Sequence, residues 1–203
     1  MADNYVYVLD GKAYVNLTNR CRNACAFCIR NSGDGVAGTP LWLDNEPNAD
    51  DVMSAFDKVT GVVKDEIVFC GYGEPTERLD VLTECAARFK ARGYKLRLNT
   101  NGLGSASNGH DISSELCAFD TVSVSLNNFD ARSYYDITRS QYGLDAFDCV
   151  VNFALACKTA GINTVFTVVD TIGEENINKC RALCDGLGIP LRVRKYVADN
   201  YNG

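Results

Sequence analysis

The stretch EIVFCGYGEPTERLDVLTECAARFKARGYKLRLNTNG, residues 66–102, contains a strand, a helix and a second strand in sequence. The apolar run at 66–70 predicts a buried strand, and residues 95–99 predict the next one. Between them, Leu82, Cys85 and Phe89 recur at helical spacing, and Gly93 follows where that helix should end. Two strands joined by one helix are typical of a parallel βαβ unit.

The same alternation continues on both sides of this unit. Asp10-Gly11 lies between two short apolar runs, 6–9 and 14–18, and predicts a hairpin whose second strand begins the parallel sheet. Helices are predicted after a cap at 48–51 and over 79–92, 112–118, 131–138, 146–160 and 175–187, and further strands over 121–126, 163–169 and 191–197. Six β/α rounds predict an α/β fold with functional residues at the carboxyl ends of the strands.

Composition favours one globular domain over residues 1–203, because 46% of the residues are hydrophobic and 23% are charged. The formal net charge of −6 disfavours binding to anionic lipid or extended nucleic acid. A local basic spot at Arg192, Arg194 and Lys195 is the exception. The opening MADNYVYVLDGK lacks the features of a signal peptide, and no apolar run is long enough to cross a bilayer. We therefore expect a cytoplasmic protein with no membrane partner.

Ten cysteines in a cytoplasmic chain point to buried thiols, metal ligands or redox groups. Cys21, Cys25 and Cys28 crowd into the loop after the first parallel strand. Their spacing also suits one face of a helix, but polar residues on both sides argue against a long amphipathic helix. Structural zinc usually takes four ligands, whereas three thiolates suit a four-iron cluster with one iron left open to another ligand.

The pattern C-x3-C-x2-C, with Phe27 before the last cysteine, resembles that of the radical S-adenosylmethionine (SAM) enzymes. Three further segments match that family in order. Residues 71–75 (GYGEP) resemble its GGEP segment, and residues 99–102 (NTNG) resemble its TNG segment. Residues 123–127, together with Arg139, resemble the segment that meets the ribose and carboxylate of SAM. The resemblance implies an open partial (β/α)6 TIM-type barrel with a short N-terminal hairpin, formed by a single radical SAM core domain.

The resemblance also implies the site residues. Cys21, Cys25 and Cys28 would bind a [4Fe-4S] cluster. Residues that would contact SAM are Phe27, Gly71, Tyr72, Gly73, Glu74, Asn101, Ser125, Asn127 and Arg139. Residues 169–174 (VDTIGE) contain one glycine where the family's fifth-strand motif usually has two, so the adenine pocket departs from the pattern.

Several phrases, among them FCIRN at 27–31 and FCGYGEPT at 69–76, are similar to the subgroup called TatD-associated radical SAM proteins. The resemblance implies reductive cleavage of SAM to a 5′-deoxyadenosyl radical that abstracts hydrogen from a substrate. It also implies an external one-electron donor of the flavodoxin or ferredoxin type. Two alternatives stay open: a glycyl-radical-type activase of a partner protein, and a non-catalytic iron-sulfur electron carrier or sensor.

The last predicted strand ends at 197, and six residues follow it, which leads us to expect no C-terminal lid over the site. A bulky or partner-presented substrate would then close it, and a TatD-type hydrolase or another protein is the candidate partner.

Simpler structural roles compete with several of these assignments. Glu74 could cap a helix, Ser125 and Asn127 could cap the helix that begins near 130, and Arg139 could be a surface charge. His110 lies in a Gly- and Ser-rich stretch and is expected at the surface. Most of the other seven cysteines are expected in the core, although Cys70 lies near the glutamate motif.

Overall fold

The computed structural model describes residues 3–32, 35–64 and 66–196. Its strands form one sheet of seven in simple sequence order. The strands are β1 (Val6–Leu9), β2 (Lys12–Val15), β3 (Glu66–Phe69), β4 (Lys95–Thr100), β5 (Thr121–Ser125), β6 (Asn163–Val169) and β7 (Leu191–Arg194). β1 pairs antiparallel with β2, and every later pair is parallel. The six parallel strands confirm the predicted open partial barrel with an N-terminal hairpin.

Helices connect the parallel strands and cover the outer side of the sheet. They are α1 (Ala49–Asp57), α2 (Leu79–Ala91), α3 (Gly104–Asn108), α4 (Ala131–Thr138), α5 (Asp145–Thr159) and α6 (Glu174–Leu187). Short 3-10 turns occupy Ile29–Ser32, Thr60–Val62, Pro75–Arg78, Ser113–Leu116 and Asp170–Ile172. None of the described helices is both long and apolar enough to span a bilayer.

The main core lies between the sheet and these helices. Phe56, Phe69 and Phe89 are fully buried there, and edge-to-face contacts join Phe89 to both of the others. Residues at alternate strand positions supply the core, so the remaining positions face the inside of the barrel. On β4, for example, Leu96 and Leu98 are buried in the core.

Most predicted elements are present within one or two residues, with three differences. The first parallel strand is Lys12–Val15, not 14–18, because β2 pairs back along the hairpin from Lys12. The helix predicted over 112–118 is one 3-10 turn, Ser113–Leu116, and the preceding α3 was not predicted. The last strand, predicted over 191–197, ends at Arg194, and the described Lys195 and Tyr196 lie outside it; residue 197 and the six residues after it lie outside the described residues.

The hairpin turn follows from its two central residues. Asp10 and Gly11 have φ values of 51° and 72°. Positive φ at both positions is the signature of the tight turn that joins antiparallel strands, and Asp-Gly is a favoured pair for it.

Candidate functional site

The cysteine loop leaves the carboxyl end of β2 and packs on the end of α4. Backbone hydrogen bonds tie the two together, from Ala24 N–H to Thr138 O at 2.8 Å and from Ala26 N–H to Ile137 O at 3.0 Å. Ala24 and Ala26 flank Cys25, so α4 fixes the middle of the loop. The three cysteines of the loop are half-buried.

Two of the three thiols have raised pKa values. Burial, together with the smaller effect of the neighbouring Cys21 and Cys28, raises the pKa of Cys25 to about 12. Burial also raises the pKa of Cys21, while Asn101 opposes this because its Nδ2 donates to Cys21 Sγ at 3.6 Å. Within the described residues, no three His, Cys, Asp or Glu side chains converge on a single ion. Cysteine thiolates are the ligands that iron-sulfur clusters use, so the chemistry of this donor set fits a cluster.

Arg139 belongs to the same surface as the cysteines. It is the C-cap of α4, with φ of 47°, and its side chain is exposed. It lines a depression of about 400 Å³ together with Cys25, Cys28 and Arg30. This location places Arg139 beside the thiols on their solvent side, with Arg30 as a second cation of the same depression.

Glu74 is buried, with only 4% of its surface exposed, and its carboxylate is held by protein donors. Oε1 accepts from Thr76 N–H at 3.2 Å and from the hydroxyls of Thr76 and Thr100 at 2.8 and 2.7 Å, while Oε2 accepts from Asn101 N–H at 2.7 Å. Burial raises the pKa of Glu74, and these hydrogen bonds offset part of that rise. Glu74 therefore joins the loop after β3 to the loop after β4.

The two glycines around Tyr72 allow these loops to pack against the end of β2. A Cβ on Gly71 would lie 2.0 Å from Asn16 Oδ1, and one on Gly73 would lie 2.3 Å from Thr18 O. Glu74 N–H also donates to Arg20 O at 2.8 Å. The GYGEP segment is thus pressed against the start of the cysteine loop, and any side chain at either glycine would separate them.

Ser125 and Asn127 lie at and just beyond the carboxyl end of β5. Ser125 is half-buried, whereas Asn127 is buried and adopts φ of 61°. The helix that follows is capped by Asp130, whose carboxylate accepts from Ser133 N–H at 2.9 Å. The alternative that Ser125 and Asn127 cap this helix is therefore wrong, because Asp130 already performs that role.

The aromatic members of the predicted site differ in exposure. Phe27 is half-buried within the cysteine loop. Tyr72 is buried, and its ring meets the edge of Trp42 at a centroid distance of 5.1 Å. Trp42 is 52% exposed and lies under the Arg30 guanidinium at 5.8 Å. Tyr72 was predicted as part of the site, whereas its partner Trp42 was not, because Trp42 belongs to none of the recognised motifs.

The residues outside the site mostly match their predicted roles. Cys85, Cys157, Cys180 and Cys184 are buried, whereas Cys117 is exposed. His110 is exposed and pairs with Glu115, with Nε2 2.8 Å from the carboxylate. Cys70, whose pKa burial raises, lines a cavity inside the barrel.

Sequence reasoning missed the partners that hold the site together. Thr76 and Thr100 bind Glu74, and Glu46 binds both Arg20 and Thr18 at the start of the cysteine loop. Ordinary polar residues such as these carry no motif, so only their placement reveals them.

Comparisons with known proteins agree with this arrangement. The chain is 30% identical over 187 residues to GTP 3′,8-cyclase 2 of Mycobacterium bovis, covering 88% of this chain and 48% of that protein. A GTP 3′,8-cyclase of Corynebacterium glutamicum is 29% identical over 189 residues, with 88% and 47% covered. The chain thus spans about half the length of these curated relatives.

Solved structures share the fold at low sequence identity. SuiB of Streptococcus suis bound to S-adenosylmethionine superposes with a TM-score of 0.69 at 18% identity, covering 91% of this chain and 40% of that one. TYW1 with a lysine-pyruvate adduct gives 0.64 at 14% identity, covering 92% and 65%. The model of the radical SAM superfamily matches residues 15–185, a span that includes all three loop cysteines and the GYGEP segment. The chain is therefore a radical SAM enzyme and belongs to the radical SAM superfamily, whose cofactors are a [4Fe-4S] cluster and SAM.

Proposed function

We propose that Cys21, Cys25 and Cys28 of this chain bind a [4Fe-4S] cluster beside a SAM site formed by the loops after β3, β4 and β5. One observation supports this most strongly: Asn101 donates to Cys21 through its side chain and to Glu74 through its backbone. The TNG segment thereby joins the cysteine loop to the GYGEP segment. Three motifs far apart in sequence meet around one residue.

A [4Fe-4S] cluster held by Cys21, Cys25 and Cys28 would supply the electron for reductive cleavage of SAM, the chemistry that would lead to hydrogen abstraction from a substrate. The chain itself binds and orients. Arg139 supplies a positive charge near the thiols, and Ser125 presents a hydroxyl at the carboxyl end of β5. Glu74 acts as a positioning residue and not as a direct SAM contact, because its carboxylate already accepts four protein hydrogen bonds.

The chemistry of the donor set supports the cluster. The pKa values of Cys21 and Cys25 are raised, so metal binding must displace the protons of these thiols. Iron provides the compensating positive charge, and Arg30 adds a weaker one, since its charge lowers the pKa of both Cys21 and Cys25. Thiolate ligands are the ones that iron-sulfur clusters require.

The substrate and partner are part of the proposal. The sheet is open between β1 and β7, which pair only with β2 and β6 among the described residues. We propose a bulky or partner-presented substrate that closes this side, an external electron donor, and membership of the TatD-associated subgroup, supported by the phrases FCIRN and FCGYGEPT. The GTP cyclase name describes proteins about twice as long, so it does not by itself assign GTP to this chain. The cytoplasmic location also remains a prediction.

Iron loading tests the cluster assignment. Anaerobically reconstituted protein should bind about four irons per chain and give a cluster signal in electron paramagnetic resonance that changes when SAM is added. Cys25→Ala should lose the cluster. Cys117→Ala and Cys149→Ala are matched controls, since these cysteines lie at the surface and on α5, and both should load normally. A full cluster in Cys25→Ala would refute the assignment.

The same preparation separates the alternatives. An electron carrier or sensor would hold the cluster but leave its signal unchanged by SAM. An activase would respond to SAM and then generate a radical on an added partner protein. Arg139→Gln should weaken the response to SAM while iron content stays normal, because the Arg139 side chain is exposed and forms no hydrogen bond or ion pair with the described residues.

A further inference from the structure

Three arginine side chains point into the barrel. Arg97 on β4 and Arg192 and Arg194 on β7 occupy the strand positions that alternate with core residues. Their neighbours Leu96 and Leu98 are buried in the outer core, and Leu191 and Val193 pack against it. Successive side chains on a strand point to opposite faces, so the arginines face inward.

These arginines line one cavity of about 340 Å³, together with Tyr14, Cys70 and Asn99. We call it the interior cavity. Its volume falls within the range of about 300–1,000 Å³ that is usual for small-molecule sites. Cys70 and Asn99 stand immediately before the loops that carry GYGEP and NG, so the cavity lies directly beneath the proposed SAM site.

The positive charge in the interior cavity is not neutralised by the protein. Glu66 is shared between Lys12 at 2.6 Å and Arg97 at 3.2 Å. Arg192 donates to the neutral hydroxyl of Ser123 at 3.2 Å, and the described residues place no carboxylate in ion-pair contact with Arg192 or Arg194. Asp10 lines the cavity from the exposed hairpin turn. The lining of the cavity thus carries three arginines and one carboxylate, Asp10, while Glu66 pairs with Arg97 from outside that lining.

Of the three arginines, Arg97 is largely buried, whereas Arg192 and Arg194 are exposed on the edge strand β7. Arg97 Nε is buried and has no acceptor among the described residues. Burial lowers the pKa of Arg192, and the charges of Arg97 and Arg194 lower it further. Clustered guanidinium groups repel one another, and an anion placed between them would remove that repulsion and satisfy the free donors.

We propose that the interior cavity binds an anionic group of the substrate, of phosphate or polycarboxylate type, through Arg97, Arg192 and Arg194. Planar guanidinium forks match the oxygens of either group. Ser123, which Arg192 contacts, lies two residues before Ser125 on the same face of β5, so the anion would bind one layer below the SAM site. The remainder of the substrate would then extend toward the mouth, where the abstracted hydrogen lies. The orientation of the substrate in this inference rests on the proposed function, whereas binding of the anion does not.

Calorimetry on the full chain, with and without reconstituted cluster, tests the proposal at constant ionic strength in a buffer free of sulfate and phosphate. The probes are inorganic pyrophosphate, tripolyphosphate and citrate. Wild-type protein should bind at least one of them, and the choice between phosphates and citrate identifies the anion class. Arg192→Gln and Arg194→Gln should each weaken binding about tenfold or more, because each removes charge-assisted hydrogen bonds. Arg132→Gln, a surface arginine on α4 that is 75% exposed, should bind as wild type does.

The outcomes are separable from those of the proposed function. Failure of all three anions to bind, or unchanged affinity in both β7 variants, overturns the anion site. Loss of SAM response in these variants with anion affinity unchanged would assign the arginines to the cofactor and also overturn it. Iron content and the SAM response of the wild type are measured on the same samples, so a missing cluster with intact anion binding would refute the proposed function alone.

Discussion

Replacing Glu74 with alanine should destabilise the fold itself, before any effect on a cofactor is considered. The change removes the acceptor of two backbone N–H groups, that of Thr76, which is buried, and that of Asn101, which is half-buried. An unpaired buried donor costs about 1–3 kcal/mol and a half-buried one costs less, so the free energy of unfolding should fall by about 1–5 kcal/mol. The two threonine hydroxyls can turn to other acceptors, and we assign them no cost. A domain is stable by only about 5–15 kcal/mol, so the loss is a large part of the total.

Urea denaturation of the reduced protein without metal measures this loss through the transition midpoint at constant slope. Glu84→Ala is the control, because Glu84 lies on the exposed side of α2 and, within the described part of the chain, pairs with Arg88 alone, an interaction worth at most about 1 kcal/mol. If Glu74→Ala does not fold, Glu74→Gln keeps the side-chain volume and one carbonyl acceptor and should show a smaller, measurable loss. A loss below about 1 kcal/mol in Glu74→Ala would refute the role of Glu74 as the tie between loops.

Two further predictions use other features of the chain. Gly73→Ala should lower the free energy of unfolding by about 1–3 kcal/mol or more, because the new Cβ would lie 2.3 Å from a backbone carbonyl oxygen. Gly186→Ala, whose Cβ would meet nothing within 4 Å, should instead stabilise α6 by about 0.5–1 kcal/mol. Thermal unfolding compares the two variants, and equal effects would contradict the close packing at Gly73. The hydrogen bond to Glu115 raises the pKa of His110 above 6.5, so its contribution to stability should be present below pH 6.5 and disappear as the pH rises through the raised value. Because the chain has one histidine, an NMR titration gives this pKa directly, and a value at or below 6.5 would contradict the ion pair.

The strand and helix alternation was predictable because it depends on local patterns. The 2-residue period of β4 and the 3.6-residue period of α2 are visible in the sequence, and both elements form where predicted. The helix predicted over 112–118 shortened to one 3-10 turn, Ser113–Leu116, after the unpredicted α3. A few apolar residues in a short segment do not determine which type of turn forms.

The parts of the site that lie in sequence motifs were predictable, whereas the parts that depend on packing between loops were not. Cys21, Cys25 and Cys28 are recognisable from spacing alone, and so is the GYGEP segment. The convergence on Asn101 depends on how three loops meet at one edge of the sheet, which no local pattern encodes. The sequence shows Arg192 and Arg194 as a basic spot. Arg97 lies 95 residues before Arg192 in the chain, and only the curvature of the sheet brings all three arginines into one cavity.

Formation of 5′-deoxyadenosine tests the central claim most directly. Anaerobically reconstituted protein is reduced with dithionite and incubated with SAM, and the products are quantified by liquid chromatography and mass spectrometry. We predict 5′-deoxyadenosine and methionine in equal amounts from the wild type and from Cys149→Ala, and none from Cys25→Ala. Folded protein that carries about four irons per chain, yet yields no 5′-deoxyadenosine under these conditions, would contradict the assignment of a radical SAM site to this loop.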